Sequence, residues 1–167
     1  MKYKLSDICE YSTNKIPISR LNEQTYISTE NMLPNKGGIV DASSLPSIAQ
    51  TPAYKAGDVL VSNIRPYFKK IWFATSDGGC SNDVLVFRAK ENVSSHFLYY
   101  VLADNAFFEY SMATSKGTKM PRGDKAAIMR YNVPRFSYDE QEKIADILKA
   151  FDEKIQLNTM INKNLAA

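Results

Sequence analysis

The sequence predicts an α+β protein: a globular domain with a mainly antiparallel, twisted sheet and packed helices, followed by one long C-terminal helix of coiled-coil type. Three observations carry this expectation. Asp58 to Ile64, Lys69 to Thr75 and Asp83 to Arg88 are short runs of Val, Ile, Leu, Phe and Trp72, punctuated by Pro66 and by Asp77-Gly78-Gly79, and they read as an antiparallel meander. Ser94-Ser95 caps a segment whose apolar residues fall on nearly every face, Phe97, Leu98, Val101, Leu102, Phe107 and Phe108 among them, as in a buried helix. From Ser137 onward no Gly or Pro interrupts a pattern with helical period.

In chain order, Leu5-Ser-Asp-Ile suits a short helix capped by Ser6, and Ser12 to Gln24 is a polar stretch that reads as loop. Thr25-Tyr-Ile-Ser-Thr alternates like a first strand. Asn31 to Pro52 is rich in Gly, Pro, Ser and Asn, with a turn at Gly37-Gly38; an irregular segment this long in a compact domain is usually functional. After the three strand runs and the aromatic helical segment, Ser111 to Lys125 is a Gly-containing basic loop, and Met129 to Val133 reads as a last strand. His96, the only histidine, falls at the exposed start of the aromatic segment, with no second His and no nearby Cys to make a metal centre or a nucleophile pair.

The last helix has the clearest signals. Ser137 and Glu140 form a capping box that starts it near Tyr138; Pro134 lies safely upstream, and Asp139, Glu140 and Glu142 complement the positive end of the dipole. Ile144, Leu148, Phe151, Ile155, Asn158, Asn162 and Leu165 step by four and three alternately, a coiled-coil seam that Ile147 and Ile161 widen on one side. The two Asn side chains cost stability in a seam but fix register and partner geometry. Periodicity alone also fits an amphipathic helix lying along its own domain. Length favours the seam, because a helix of about 40 Å overhangs a domain of this size.

Three stretches resemble one family in that family's own order. Ala56-Gly57-Asp58-Val59-Leu60-Val61-Ser62-Asn63-Ile64-Arg65-Pro66, Lys116-Gly117-Thr118-Lys119-Met120-Pro121-Arg122, and the helical region from Asn132-Val133-Pro134 through Glu140-Gln141-Glu142-Lys143-Ile144-Ala145 to Asn164-Leu165 are similar to the specificity subunit of type I restriction-modification enzymes. A full subunit of that family carries two target-recognition domains, each followed by such a helix. One of each is present here, residues 1–135 and 136–167, so the chain resembles a half subunit. The resemblance implies a non-catalytic reader of double-stranded DNA in the bacterial or archaeal cytoplasm. It would have no cofactor of its own, a methyltransferase subunit docked on it and a restriction subunit joining in the full complex.

Charge and composition agree with that expectation without reaching it alone. At 167 residues and 44% hydrophobic, the chain has material for one real core. No apolar run suits a membrane, and Met1-Lys-Tyr-Lys-Leu lacks the hydrophobic segment of a signal peptide. Cys9 and Cys80 are too few for a disulfide framework or a zinc site and suit buried thiols in a reducing compartment. Between Ser111 and Arg135 lie Lys116, Lys119, Arg122, Lys125, Arg130 and Arg135 against Asp124 alone, whereas the helix from Asp139 is mixed, a split that suits a phosphate-neutralising domain carrying a protein-binding helix.

The candidate DNA contacts follow from side-chain chemistry. In the turn from Asn63 to Lys70, Asn63 suits adenine, Arg65 suits guanine, Lys69 and Lys70 grip backbone, and Tyr67 stacks or donates; the same inventory also occurs in ordinary surface turns. In the basic loop Lys116, Thr118, Lys119, Arg122 and Lys125 supply donors, and Gly117 and Gly123 let backbone approach a phosphate. Asn14 and Lys15 add a third loop near DNA. A nucleotide-binding P-loop fails because the Lys-Ser/Thr pair is missing at the right distance after a leading Gly, and neither the Asn/Asp-Pro-Pro-Tyr/Phe motif of adenine methyltransferases nor a nuclease metal motif is present. With one recognition domain, a bipartite site requires two copies. The seam Ile144, Leu148, Phe151, Ile155, Asn158, Ile161, Asn162 and Leu165 predicts an antiparallel homodimer reading an inverted repeat. A coiled-coil adaptor whose globular part binds protein is the alternative.

Overall fold

The computed structural model describes residues 3–166; Met1 and Lys2 of the amino-terminal stretch and Ala167, the last residue of the helical segment, lie outside it. The elements run β1 (Tyr3–Lys4), α1 (Leu5–Ile8), β2 (Cys9–Tyr11), β3 (Lys15–Pro17), β4 (Tyr26–Ile27), β5 (Gln50–Tyr54), β6 (Val59–Ser62), β7 (Ile71–Phe73), β8 (Gly78–Cys80), β9 (Val84–Ala89), α2 (Ser95–Ala103), α3 (Asn105–Ala113), α4 (Lys125–Ile128), β10 (Asn132–Val133) and α5 (Tyr138–Leu165). Single 3-10 turns occupy Ile18–Arg20 and Pro66–Phe68.

The central sheet is antiparallel in the order β2-β9-β6-β7, with Val59 opposite both Phe73 and Phe87. Alternate residues of its strands face opposite ways, as the pleat requires. Val59 and Val61 of β6 and Leu85 and Phe87 of β9 join Leu5, Ile8, Leu98, Leu102, Phe107 and Phe108 in the core beneath the helices. Leu60, Val84 and Val86 point the other way, into a second core with Ile27, Met32, Tyr54, Ala74 and Cys80. A second sheet, β3-β5-β8-β4, covers that side; β4 runs parallel to β8, and the other described pairs are antiparallel. The central sheet thus has no solvated face, which is why β6 and β9 read as continuous apolar runs instead of alternating ones.

Helix starts follow the caps. Ser94 Oγ accepts from Phe97 N, Asp104 Oδ1 from Ala106 N, and the Ser137–Glu140 box is formed, with Ser137 N donating to Glu140 Oε2 at 2.7 Å. The start of the domain is tied to the segment that leads into α5: β1 pairs with β10, and Arg135 lies over the Tyr3 ring at 5.0 Å. Helix α5 is anchored by Gln141, buried at 5% exposure, whose Oε1 accepts from Ser94 N while its Nε2 donates to Phe136 O. Burial pushes the Cys9 and Cys80 thiols up to about 12, so both behave as inert core residues.

Several local expectations change. The three strand runs are not a meander, because β9 pairs with β6 and not with β7. The Asp77-Gly78-Gly79 punctuation is instead the start of β8, a strand that propensity disfavours and crowding selects. A Cβ on Gly78 would lie 2.3 Å from both Thr25 O and Tyr54 Oη, which are themselves hydrogen-bonded. Helix α1 is capped by Asp7, which accepts from Lys4 N, and not by Ser6. The polar stretch from Ser12 to Gln24 contains β3, and the irregular segment gives way to β5 at Gln50. His96 is not free at a helix start; it is half-buried, its ring stacked on Phe73 at 4.3 Å.

Gly78→Ala is expected to lower stability by about 1–3 kcal/mol, the range for overpacking a well-filled site. Urea unfolding measures it; an unchanged midpoint would mean that β8 and Tyr54 can separate freely.

Candidate nucleic-acid interface

Two of the three groups of candidate residues, remote in sequence, form one surface. The connection between β6 and β7 leaves the central sheet at Asn63, passes through Arg65 and Lys69, both in left-handed backbone conformation at φ 49° and 51°, and returns at Lys70. The basic loop folds back on itself, with Lys116 and Arg122 exchanging backbone hydrogen bonds of 2.9 Å in each direction. Arg122 also bridges Ile64 on its other side, Arg65 N donates to Pro121 O at 2.8 Å, and Gly123 N donates to Asn63 O at 3.1 Å. Part of the irregular segment joins them: Asn35 N and Lys36 N donate to Phe68 O and Lys69 O, and Lys70 Nζ donates to Thr29 O at 2.6 Å.

Within this surface the predicted residues differ in reach. Tyr67, Thr118, Lys119 and Lys125 are exposed, and Tyr67 packs on exposed Phe68 at 4.7 Å. Lys69 and Lys70 are half-buried; Lys69 Nζ donates to Asn105 Oδ1 and Lys70 Nζ lies 5.7 Å from the Phe68 ring centre. Asn63 is buried at 9% exposure and its Oδ1 is enclosed, so its amide does not present the paired donor and acceptor that adenine requires, a correction to its expected role. Its Oδ1 has no hydrogen-bond partner and lies where a Cβ on Gly123 would be, at 2.7 Å. Ile128 Cδ1 at 2.8 Å and Ser111 Oγ at 3.1 Å crowd the same point, so packing disfavours a side chain at Gly123. Arg65 is half-buried, and its Nε has no partner.

The loop cations are partly neutralised by carboxylates that charge counting did not pair with them. Lys116 Nζ lies 2.8 Å from Asp124 Oδ2, and Arg122 Nη2 lies 3.2 Å from Asp83 Oδ1. The Lys116 hydrogen bond first, and the backbone N–H groups of Ala127 and Ala126 with it, hold the Asp124 carboxyl down at about 2. Asp124 is thus the N-cap of α4 as well as an ion-pair partner, and its place just before Lys-Ala-Ala-Ile is a signal that sequence reading could have used. Nothing local marks Asp83, which the end of β8 and the start of β9 bring to the loop.

Asn14 and Lys15 do not join this surface. Both are exposed and line a separate hollow with Lys55, Asp77 and Arg88, next to the Arg88–Asp58 ion pair. Asp58 precedes β6 and Asn63 follows it, so the length of that strand, roughly 13 Å, separates the two ends.

The predicted seam forms a second surface. Ile144 packs against the core below α2, and Leu148 sits at the edge of a groove with Phe97, Tyr100 and Phe136. Farther along, Tyr100 Oη donates to Asp152 at 2.8 Å, the last polar tie between helix and domain among the described residues. Phe151, Ile155 and Leu165 are 61%, 62% and 80% exposed, and Asn158, Ile161 and Asn162 are exposed beside them. Among the described residues no cluster of His, Cys, Asp or Glu is placed to hold a metal, and no helix is long and apolar enough to cross a membrane.

Comparison with known proteins gives this geometry a family. The chain is 31% identical over 175 residues to the type I restriction enzyme HindI specificity subunit of Haemophilus influenzae, an alignment covering 98% of this chain and 38% of that subunit. It is 30% identical over 91 residues to the EcoDI specificity subunit of Escherichia coli, covering 54% of this chain and 20% of that one. The chain therefore spans less than half the length of these relatives. Its fold is shared with the HsdS subunit from Thermoanaerobacter tengcongensis, with a TM-score of 0.69 at 22% identity over 93% of this chain and 43% of that one. A chain from a structure of a type I R-M system in assembly and conformational transition gives a TM-score of 0.71 at 19% identity, over 96% and 44% respectively. The model of the type I restriction modification DNA specificity domain matches residues 1–167, and the chain belongs to that family.

Proposed function

We propose that this chain is a non-catalytic DNA-reading module that holds one half of a bipartite target and docks a methyltransferase subunit, with a restriction subunit joining in the complete assembly. The observation that carries the reading is the interlocking of the basic loop with the turn from Asn63 to Lys70, which gathers cations and an exposed aromatic pair at one end of the central sheet. Backbone-gripping cations around a few fixed polar side chains are what duplex recognition uses. A protein-binding adaptor would account for the exposed seam but not for this second surface. No cofactor enters the reading.

One such domain reads one half-site, so the reading includes a homodimer through α5. Antiparallel pairing about a two-fold axis would place the two domains at opposite ends of the paired helices. The 28 residues of α5 span about 42 Å, somewhat more than the roughly 34–36 Å between equivalent positions one DNA turn apart. The exposed Phe151 and Ile155 fall near the middle of the seam, where each would meet its counterpart's neighbours and exclude water.

Two outcomes are expected. In sedimentation equilibrium at tens of micromolar the unmutated chain is a dimer and Phe151→Asp or Ile155→Asp is a folded monomer, because a carboxylate would be buried unpaired in the seam while the domain core is untouched. A monomeric unmutated chain would exclude the homodimer. In DNA titrations across salt concentration, with a type I methyltransferase subunit bound, Lys119→Ala is expected to weaken binding to all sequences alike and to lower the salt slope by about 0.9. An unchanged slope would remove the loop tip from the DNA interface.

A further inference from the structure

The DNA-reading function proposed above leaves open which side chains read bases, and the structure changes the roles suggested by composition. Asn63 is buried and Arg65 is half-buried, whereas the cation that composition assigned to phosphate, Arg122, keeps its side chain 55% exposed. Its backbone is the middle of three short extended segments, bonded to Lys116 on one side and bridged to Ile64 on the other. Its guanidinium is docked on Asp83, and both side chains remain accessible, at 55% and 38% exposure.

That pairing argues against a phosphate contact. A carboxylate beside the guanidinium cancels its charge and repels a phosphate oxygen, so the pair neutralises no backbone charge and releases no counterion. It suits a base edge instead. The guanidinium keeps donors beyond the one held by Asp83, in a fixed planar fork, and the carboxylate keeps acceptor capacity. Asp83 also lines a concavity of about 500 Å³ with Ser28, Ser43, Ser44 and Ser81 and with two further carboxylates, Glu30 and Asp41, so the recess beside the pair holds no cation that would draw in a phosphate. A donor fork beside an acceptor complements the major-groove edge of a G·C pair: guanine presents O6 and N7 as acceptors, and the paired cytosine presents its N4 amine as donor.

The neighbouring Lys116–Asp124 pair does not share these properties. Its carboxylate is committed to capping α4 through Ala126 N and Ala127 N, and the ammonium is a point charge on a flexible stem, without a planar fork. We propose that Arg122 is a specificity-determining residue that reads a guanine in the half-site, and that Asp83 is its positioning residue, aiming the guanidinium and accepting from the paired cytosine.

Selection from a random duplex library by the full chain, bound to a type I methyltransferase subunit, followed by sequencing and by salt titration of the selected DNA, tests the assignment. The unmutated chain is expected to select a motif containing a required guanine. Arg122→Lys keeps the charge and is expected to lose preference at that one position by on the order of 10- to 100-fold, leaving the rest of the motif and the salt slope unchanged. Asp83→Ala is expected to relax the same position and to raise the salt slope by about one, because Arg122 is then an unpaired cation; Asp83→Glu is expected to restore much of the preference. Arg122→Lys selecting the parental motif would overturn the assignment. So would Arg122→Ala lowering the salt slope by one with the motif intact, the signature of a phosphate clamp. An unmutated chain that selects no motif would overturn the DNA-reading function itself, a distinguishable failure. Both replaced side chains are partly exposed, and the bridges at position 122 are backbone bonds, so an unchanged melting temperature serves as the folding control.

Discussion

The structure depends on burying both faces of the sheet β2-β9-β6-β7. Because helices cover one face and a second sheet covers the other, a polar side chain can leave β6 and β9 only at the strand ends. At one end the chain places Asp58, 3% exposed, and satisfies it with a bidentate Arg88 pair of 2.8 and 2.6 Å as well as with Lys55 N. Arg88 is held charged by that hydrogen bond first, against the desolvation that opposes it. The other end opens into Asn63, Asp83 and the loops.

What the sequence revealed follows the range of the interactions involved. Local signals were legible: the Ser94 and Ser137–Glu140 caps act over three residues, and Phe97, Leu98, Leu102, Phe107 and Phe108 of the aromatic run are buried in the core. Non-local choices were not. Gly78-Gly79-Cys80 is a strand because Thr25 and Tyr54 press on it, and β9 pairs with β6 because the connection through β8 crosses to the second sheet. The candidate interface divides in the same way. Lysines and arginines could be gathered by composition, but Asp83 comes from another strand, and the burial of Asn63 depends on a loop that arrives much later in the chain.

Helix α5 shows how far one element can belong to two environments. Its first turns are core, held by Gln141, Ala145 and Ile144, whereas beyond Asp152 every described residue is exposed. Helices draw most of their stability from burying an apolar face, and capping adds only about 1 kcal/mol. The distal turns, with Phe151, Ile155, Ile161 and Leu165 exposed, therefore present an unsatisfied face on a persistent scaffold, and a partner helix would stabilise both itself and them.

The two surfaces are connected through the corner between α2 and α3. Ser94, which caps α2, is the backbone donor to Gln141 of α5; Tyr100 on α2 holds Asp152; and Asn105, which opens α3, holds Lys69 in the turn beside the basic loop. The path runs through one buried, one half-buried and one exposed hydrogen bond, all between residues of the packed domain and α5. A reader of two half-sites at a fixed spacing needs rigidity, because slack between the dimer axis and the reading loops would admit targets with longer or shorter spacers. In the proposed reading the loops would discriminate bases, and the discrimination of spacing would rest on the Gln141 and Tyr100 ties of α5 to the domain.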